Sequence, residues 1–350
     1  MLQGCASQQD FKKDIRDKSQ ARHEQLAAAS ALEHARRSFA AGNLTNAENQ
    51  VGNALAADPR MREALLLKVQ ILLEKSDDEE KVRNAVNAGL EQYPKEARFH
   101  YFYGLFLDRH NNRARALDEY RKAAELDPDG VQYKIAAAEM MIENSAYDEA
   151  ENYLQAARKR HPGTAGIPQT LGHLAKIRKD NASARGYFAE ALALAPDSDG
   201  IREDLALVCF RLEDYQEALA QLEVLSTKPE YAKRPDILMM LAQCHLAGKR
   251  PVEARKILRQ ILADPANESY ELWQKLMEAA VLLSDRATLR EAAERMISLD
   301  AAKEAGYLAL ARYWQMSQKP REALEALQRH PGVPSELFRR YQAQLRQEIK

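Results

Sequence analysis

The residues able to carry chemistry are few, and their spacing does not suit it. Eight histidines, His23, His34, His100, His110, His161, His173, His245 and His330, stand singly, and no two share the spacing of a metal motif such as HExxH. The sequence therefore predicts no metal site and no cofactor. His161 and His330 each precede a proline at a helix end, where a cationic ring would suit the negative end of the helix dipole. Cys209 and Cys244 lie in apolar helical segments and read as buried thiols acting as small apolar side chains. A disulfide between them is the lesser reading and needs an oxidising compartment. There is no glycine-rich phosphate loop, no Gly-x-Ser-x-Gly elbow and no pair of carboxylates in a catalytic setting. No catalytic residue is expected, and the chain reads as a non-enzyme.

What these residues sit on is a repeat. The stretches 97–128, 131–162 and 165–196 read as copies of one another, closing on Pro128, Pro162 and Pro196 at a constant 34-residue interval. In the first copy Phe99, Phe102, Tyr103, Phe106 and Leu107 recur at three- and four-residue spacing, the stripe of one helix face. A polar turn over 109–113 follows. The second helix carries Ala116, Tyr120 and Ala123 inward and stops at Leu126-Asp127-Pro128, where proline lacks the amide hydrogen a helix needs. Two such helices cannot bury their apolar faces alone, so each hairpin must stack on its neighbours. Gly104 with Ala116, Ala138 with Ala150 and Gly172 with Ala184 mark the close crossings, since bulk there would push helices beyond about 8–10 Å.

This pattern resembles the tetratricopeptide repeat (TPR) family. The matches are Tyr103-Gly104, Ala116, Tyr120, Ala123 and Pro128, then Leu171-Gly172, Ala184, Phe188, Ala191 and Pro196, at the family's 34-residue period. The small first-helix position runs Ala35, Gln70, Gly104, Ala138, Gly172, Ala206, Ala242, Met277 and Ala311. Its companion runs Ala47, Val82, Ala116, Ala150, Ala184, Ala218, Ala254, Leu289 and Ala323, with identical steps of 34 to 36 residues. The resemblance therefore implies an all-α fold, a right-handed α-solenoid of about nine TPR hairpins plus a C-terminal capping helix. Gln70 and Met277 replace the small residue, so looser packing or shifted helices are expected there. Extra residues fall at 76–80 and at 226–235. The second reads as a longer loop more readily than as a bend between sub-arrays, because surface loops tolerate insertion. The expected organisation is a polar tether over 1–27, the array over 28–333 and a cap over 334–350, with Phe338, Tyr341 and Leu345 facing the last repeat.

Lysine and arginine total 51 against 52 aspartates and glutamates. Such a balance provides no field to attract nucleic acid or an acidic membrane. No stretch approaches the ~20 apolar residues of a spanning helix. The opening Leu2-Gln3-Gly4-Cys5 is similar to the lipobox of bacterial lipoproteins, in which the cysteine thiol carries lipid. The resemblance implies a lipid anchor at Cys5, and Ala6 after it implies the periplasmic side of the outer membrane. No basic or apolar leader precedes the tetrad, so either a longer signal lies upstream or the match is accidental and the chain is a cytoplasmic adaptor.

In TPR proteins the first helices line a concave groove for protein or peptide partners. The corresponding positions here are Tyr101, Leu105 and Asp108, then Gln132, Ile135, Glu139 and Ile142, then Gln169, His173 and Lys176, then Glu203, Leu207, Phe210 and Arg211. Tyr101 and Leu105 lie off the intra-hairpin stripe, so they serve either a bound segment or the adjacent repeat. The Lys and Asn combination of the family's two-carboxylate clamp is missing, so chaperone-tail binding is not expected. The resemblance implies a scaffold for envelope assembly, secretion, pilus biogenesis or polysaccharide export. A helper subunit of a glycan-processing or transferase enzyme is the alternative from another class.

Overall fold

The computed structural model describes residues 3–75 and 78–349, with side chains for 13, 16, 18–20, 22–75 and 78–349. Leu2, the Cys5 thiol and residues 76 and 77 of the short insertion lie outside the described residues. Nineteen α-helices occur among the described residues, and no strand. The chain forms two compact units, Met1–Leu174 and Ala175–Lys350.

The first unit contains α1 (Gln3–Ala40), α2 (Leu44–Ala57), α3 (Arg62–Lys75), α4 (Glu79–Gln92), α5 (Ala97–Arg109), α6 (Arg113–Leu126), α7 (Val131–Glu143), α8 (Tyr147–Arg160) and most of α9 (Gly166–Ile177). Ala28 is the first buried side chain described; with Leu32 and Ala35 it forms the inner stripe of α1. From α3 onward one apolar cluster passes from hairpin to hairpin, joining Leu66, Val86, Phe99, Tyr120, Met141 and Leu174. That continuity is what a hairpin too thin to own a core requires. The companion residues Ala47, Val82, Ala116 and Ala150 are fully buried. Gly104 admits the ring of Tyr120, for a Cβ there would lie 2.5 Å from a ring carbon. Gln70 stays half-buried, and α3 instead buries Leu65, Leu66, Leu67, Val69, Ile71, Leu72 and Leu73 on nearly all sides.

The second unit contains α10 (Asn181–Leu194), α11 (Asp199–Arg211), α12 (Tyr215–Ser226), α13 (Pro235–Ala247), α14 (Pro251–Leu262), α15 (Tyr270–Leu282), α16 (Arg286–Leu299), α17 (Glu304–Met316), α18 (Pro320–Gln328) and α19 (Glu336–Glu348). Here Ala184, Ala218, Ala254, Leu289 and Ala323 are fully buried. Helix α19 covers the end of this unit: Phe338 and Leu345 join Tyr307, Ala311, Ala323 and Leu327 in one cluster. The Ser335 hydroxyl donates to Glu304 Oε2 at 2.6 Å, and the Tyr341 hydroxyl donates to Gln315 at 2.8 Å. The 226–235 insertion folds onto α11 through Lys228 to Asp199 (2.5 and 2.6 Å) and Arg234 to Glu203 (2.6 and 2.9 Å). It is a braced loop inside the second unit.

Each described turn within a hairpin is closed the same way. Gly42, Asn111, Ser145, Lys179, Glu213, Lys249, Ser284 and Gln318 all have φ between 54° and 73°. At the third hairpin Asn111 N–H donates to Asp108 O and Asn112 N–H to Leu107 O, both at 2.8 Å. This pair of bonds is the Schellman closure, which normally favours glycine at the left-handed residue. Seven of these eight turns use another residue, at about 1 kcal/mol of steric cost each. At the other end of the second helices, Asp127, His161 and Ala195 leave helical geometry, with ψ of 86°, 63° and 72°. Each stands before a proline, whose ring disfavours a helical predecessor.

Candidate functional site

In the first unit the expected groove residues are largely engaged in packing. Tyr101 on α5 places its ring 5.8 Å from Tyr120 on α6 and 5.2 Å from Tyr133 on α7. Burial raises its phenol pKa, with a smaller push from Glu139. It therefore bridges to the adjacent repeat. Leu105 and Ile142 are half-buried against the same core. The terminal carbon of Ile135 lies 2.8 Å from where a Cβ on Gly166 would stand, so it packs on the start of α9. Gln132 is exposed, while Gln169 and His173 are half-buried. Asp108 is shifted up by burial. Glu139 touches solvent, yet surrounding protein, then Glu143 and Asp108, push its carboxyl pKa up.

In the second unit two expected contact residues are already paired. Lys176 donates to Asp204 at 2.6 Å and lies 5.5 Å from the centre of the Phe188 ring. Glu203 holds the Arg234 guanidinium with both oxygens. Leu207 is half-buried, and Phe210 meets Tyr215 edge-on at 5.6 Å. Arg211 is exposed.

The groove positions expected from the sequence end at Arg211. Except for Gln132 and Arg211, those positions stand three before, one after and four after the small residue of each first helix. Applied to Ala242, Met277 and Ala311, the same offsets give Met239, Gln243 and Leu246, then Gln274, Glu278 and Val281, then Leu308, Arg312 and Gln315. All of these except Met239 and Gln274 line two adjoining clefts in the second unit. The larger, about 580 Å³, lies among Tyr215, Gln243, Leu246, Ala247, Lys275, Met277, Glu278, Val281, Leu282 and Arg312. The other, about 400 Å³, continues past Met277, Val281 and Arg312 to Leu308, Gln315, Leu337 and Tyr341. Both volumes suit a ligand's side chains. Met277, the bulky residue at a small position, is half-buried and lines both clefts.

The side chains here can bind rather than react. The Lys275 ammonium lies 3.1 Å from both oxygens of Glu278, so these charges cancel. Among the described residues no group of three or more His, Cys, Asp or Glu could hold a metal ion. The two thiols among the described side chains are buried and free, with Cys209 pushed up to about 11 and Cys244 to about 12 by loss of solvent, far from nucleophilic form. The His100–Glu119 contact at 2.7 Å ties α5 to α6 within one hairpin. Among the described residues no helix is long and apolar enough to cross a membrane.

Two family models described as tetratricopeptide repeat match 32–80, 83–131, 170–232 and 223–280, more than half the chain between them. The chain belongs to the tetratricopeptide repeat family. This TPR chain is 24% identical over 160 residues to the TPR repeat-containing protein PA4667 of Pseudomonas aeruginosa, covering 45% of this chain and 27% of that protein. It is 22% identical over 317 residues to the DnaJ homolog subfamily C member 7 homolog of Dictyostelium discoideum, covering 89% and 51% respectively. The TPR chain thus spans about half or less of the length of these curated relatives. Among solved structures, that of PilW, described as a type IV pilus biogenesis factor, aligns with a TM-score of 0.49 at 18% identity. It covers 58% of this chain and 94% of that one.

Proposed function

We propose that this TPR protein is a non-enzymatic scaffold that holds a segment of a protein partner in the clefts of its last three repeats. The observation that carries this reading is the lining. Met277, Val281, Leu282 and Leu337 keep apolar surface open in concavities bordered by polar groups. Leu282 and Leu337 are 56% and 68% exposed, and contiguous open apolar surface of this kind marks interaction sites. A photo-crosslinking residue at Val281, introduced in the native host, should capture protein, while the same residue at the exposed Lys256 on α14 should not. No adduct from Val281, or equal capture at both positions, refutes the reading.

The proposal extends to place. Leu2-Gln3-Gly4-Cys5 supports lipid attachment at Cys5 and a post on the periplasmic side of the outer membrane, in envelope assembly, secretion, pilus biogenesis or polysaccharide export. One acyl chain anchors a protein only marginally, whereas several, at about 0.8 kcal/mol per buried methylene, hold it stably. Expressed from its complete gene, the protein should take up labelled fatty acid and sediment with membranes, and Cys5→Ser should abolish both. A soluble, unlabelled wild type makes the cytoplasmic adaptor the better account.

A further inference from the structure

We infer that the two adjoining clefts take an extended segment in which an acidic side chain is flanked on each side by an apolar one. The inference rests on the peptide-cleft reading above and adds the chemistry of the occupant. Arg312 on α17 is exposed and lines both clefts. Several other arginines of the unit are engaged: Arg185 meets Asp214, Arg234 meets Glu203 and Asp236, Arg255 meets Asp285, and Arg259 meets Glu291. Among the described residues no carboxylate lies at ion-pair distance from Arg312. Lys275 and Glu278 neutralise one another, so the clefts present one uncompensated positive charge. A planar guanidinium with five donors is complementary to a carboxylate held in two bonds.

The apolar surface decides where in the segment that carboxylate must sit. Leu246 and Leu282 lie in one cleft alone, Leu308 and Leu337 in the other alone, and Met277 and Val281 between them. Arg312 borders both. A carboxylate at a chain end would leave one apolar hollow unfilled, whereas an acidic residue inside the segment fills both with its neighbours. A basic segment would meet Arg312 as a like charge. The extended backbone also needs partners for its amides. Gln243, half-buried in the larger cleft and without a hydrogen-bond partner among the described residues, offers both a donor and an acceptor.

The test is selection of a random peptide display library on the full chain, run in parallel on Arg312→Ala, Arg312→Glu and Val281→Glu, each verified as folded by far-ultraviolet circular dichroism. Wild type should enrich peptides with Asp or Glu between two apolar residues. Arg312→Glu should keep the apolar flanks and replace the acid by Lys or Arg. A selected peptide should lose about tenfold in affinity for Arg312→Ala, the loss of one charge-assisted contact. Apolar peptides without an acid preference, or an acid preference that survives in Arg312→Ala, overturn this inference and leave the cleft reading intact. No enrichment on wild type, or enrichment that Val281→Glu does not change, overturns the cleft reading along with it.

Discussion

Two glycines in the first unit allow the packing argument to be tested with one substitution made twice. Gly52 lies within α2 and is exposed, and a Cβ there would meet nothing within 4 Å. Gly104 lies within α5, and its Cβ would stand 2.5 and 2.7 Å from two carbons of the Tyr120 ring. Carbon atoms prefer about 3.5–4.0 Å, so the overlap is about 1 Å. Tyr120 is only 1% exposed and has the Tyr101 ring 5.8 Å away, so it has little room to swing aside. Alanine gains about 1 kcal/mol of helix propensity over glycine at either site. Overpacking in a filled core costs about 1–3 kcal/mol. Gly52→Ala should therefore stabilise by about 1 kcal/mol, and Gly104→Ala should be neutral or destabilise by up to about 2 kcal/mol. The propensity gain is common to both, so the difference between the variants isolates the steric cost. Urea midpoints and thermal scans by circular dichroism report it, at about 2–4 °C per kcal/mol for a body of this size. If Gly104→Ala stabilises as much as Gly52→Ala, the Tyr120 ring does not occupy that space and the small-residue argument fails.

Further expectations concern turns, caps and buried groups. Lys249→Gly and Gln318→Gly, at φ of 56° and 59°, should each stabilise by up to about 1 kcal/mol, read as a higher urea midpoint, and Gly42→Ala, at φ 73°, should lower that midpoint. Asp285→Ala should cost about 1–2 kcal/mol of stability, because Asp285 accepts from Thr288 N–H at 3.1 Å and Oγ1 at 2.7 Å, and from Arg255 at 2.7 Å. Burial, then Arg250, holds His245 below the ordinary histidine pKa, outweighing Glu223 and Glu253. As pH falls through about 6.5 the unfolded chain takes up this proton first, so stability is complete above that value and declines below it. Melting curves across that range should show a shallower decline for His245→Gln. Cys209 and Cys244 should resist a thiol reagent at mildly alkaline pH and react only on unfolding; rapid labelling of the native protein would contradict their burial.

Two of the ion pairs between repeats in the second unit share a design. Asp214 and Asp285 each cap a second helix, and each also receives an arginine from an earlier hairpin, Arg185 at 3.2 Å and Arg255 at 2.7 Å. A single exposed pair contributes about 0–1 kcal/mol. Joined to a cap, it also fixes where one hairpin begins relative to another. Arg312 has no such carboxylate partner among the described residues, and it lines both clefts.

The sequence by itself determined the hairpins, their number and their close crossings. Each depends on contacts within a helix pair or between neighbours, so Gly104, Ala116, Tyr120 and Pro128 at a fixed period were enough. It could not determine which groove residues stay free. Lys176 and Glu203 read as open charges until the fold brought Asp204, 28 residues away, and Arg234, 31 residues away, against them. Tyr101 was equally balanced between ligand and packing until Tyr133 of the next repeat was placed beside its ring. The left-handed turns were hidden because asparagine, serine, lysine, glutamate and glutamine replace the glycine that usually marks them. The offsets of the clefts were in the sequence already, but their openness was not: a half-buried Leu246 or Val281 has the same local pattern as a core residue. Only the tertiary arrangement of three first helices and the cap decided that these side chains border space rather than another helix, since a concave surface belongs to several repeats at once and to none of them alone.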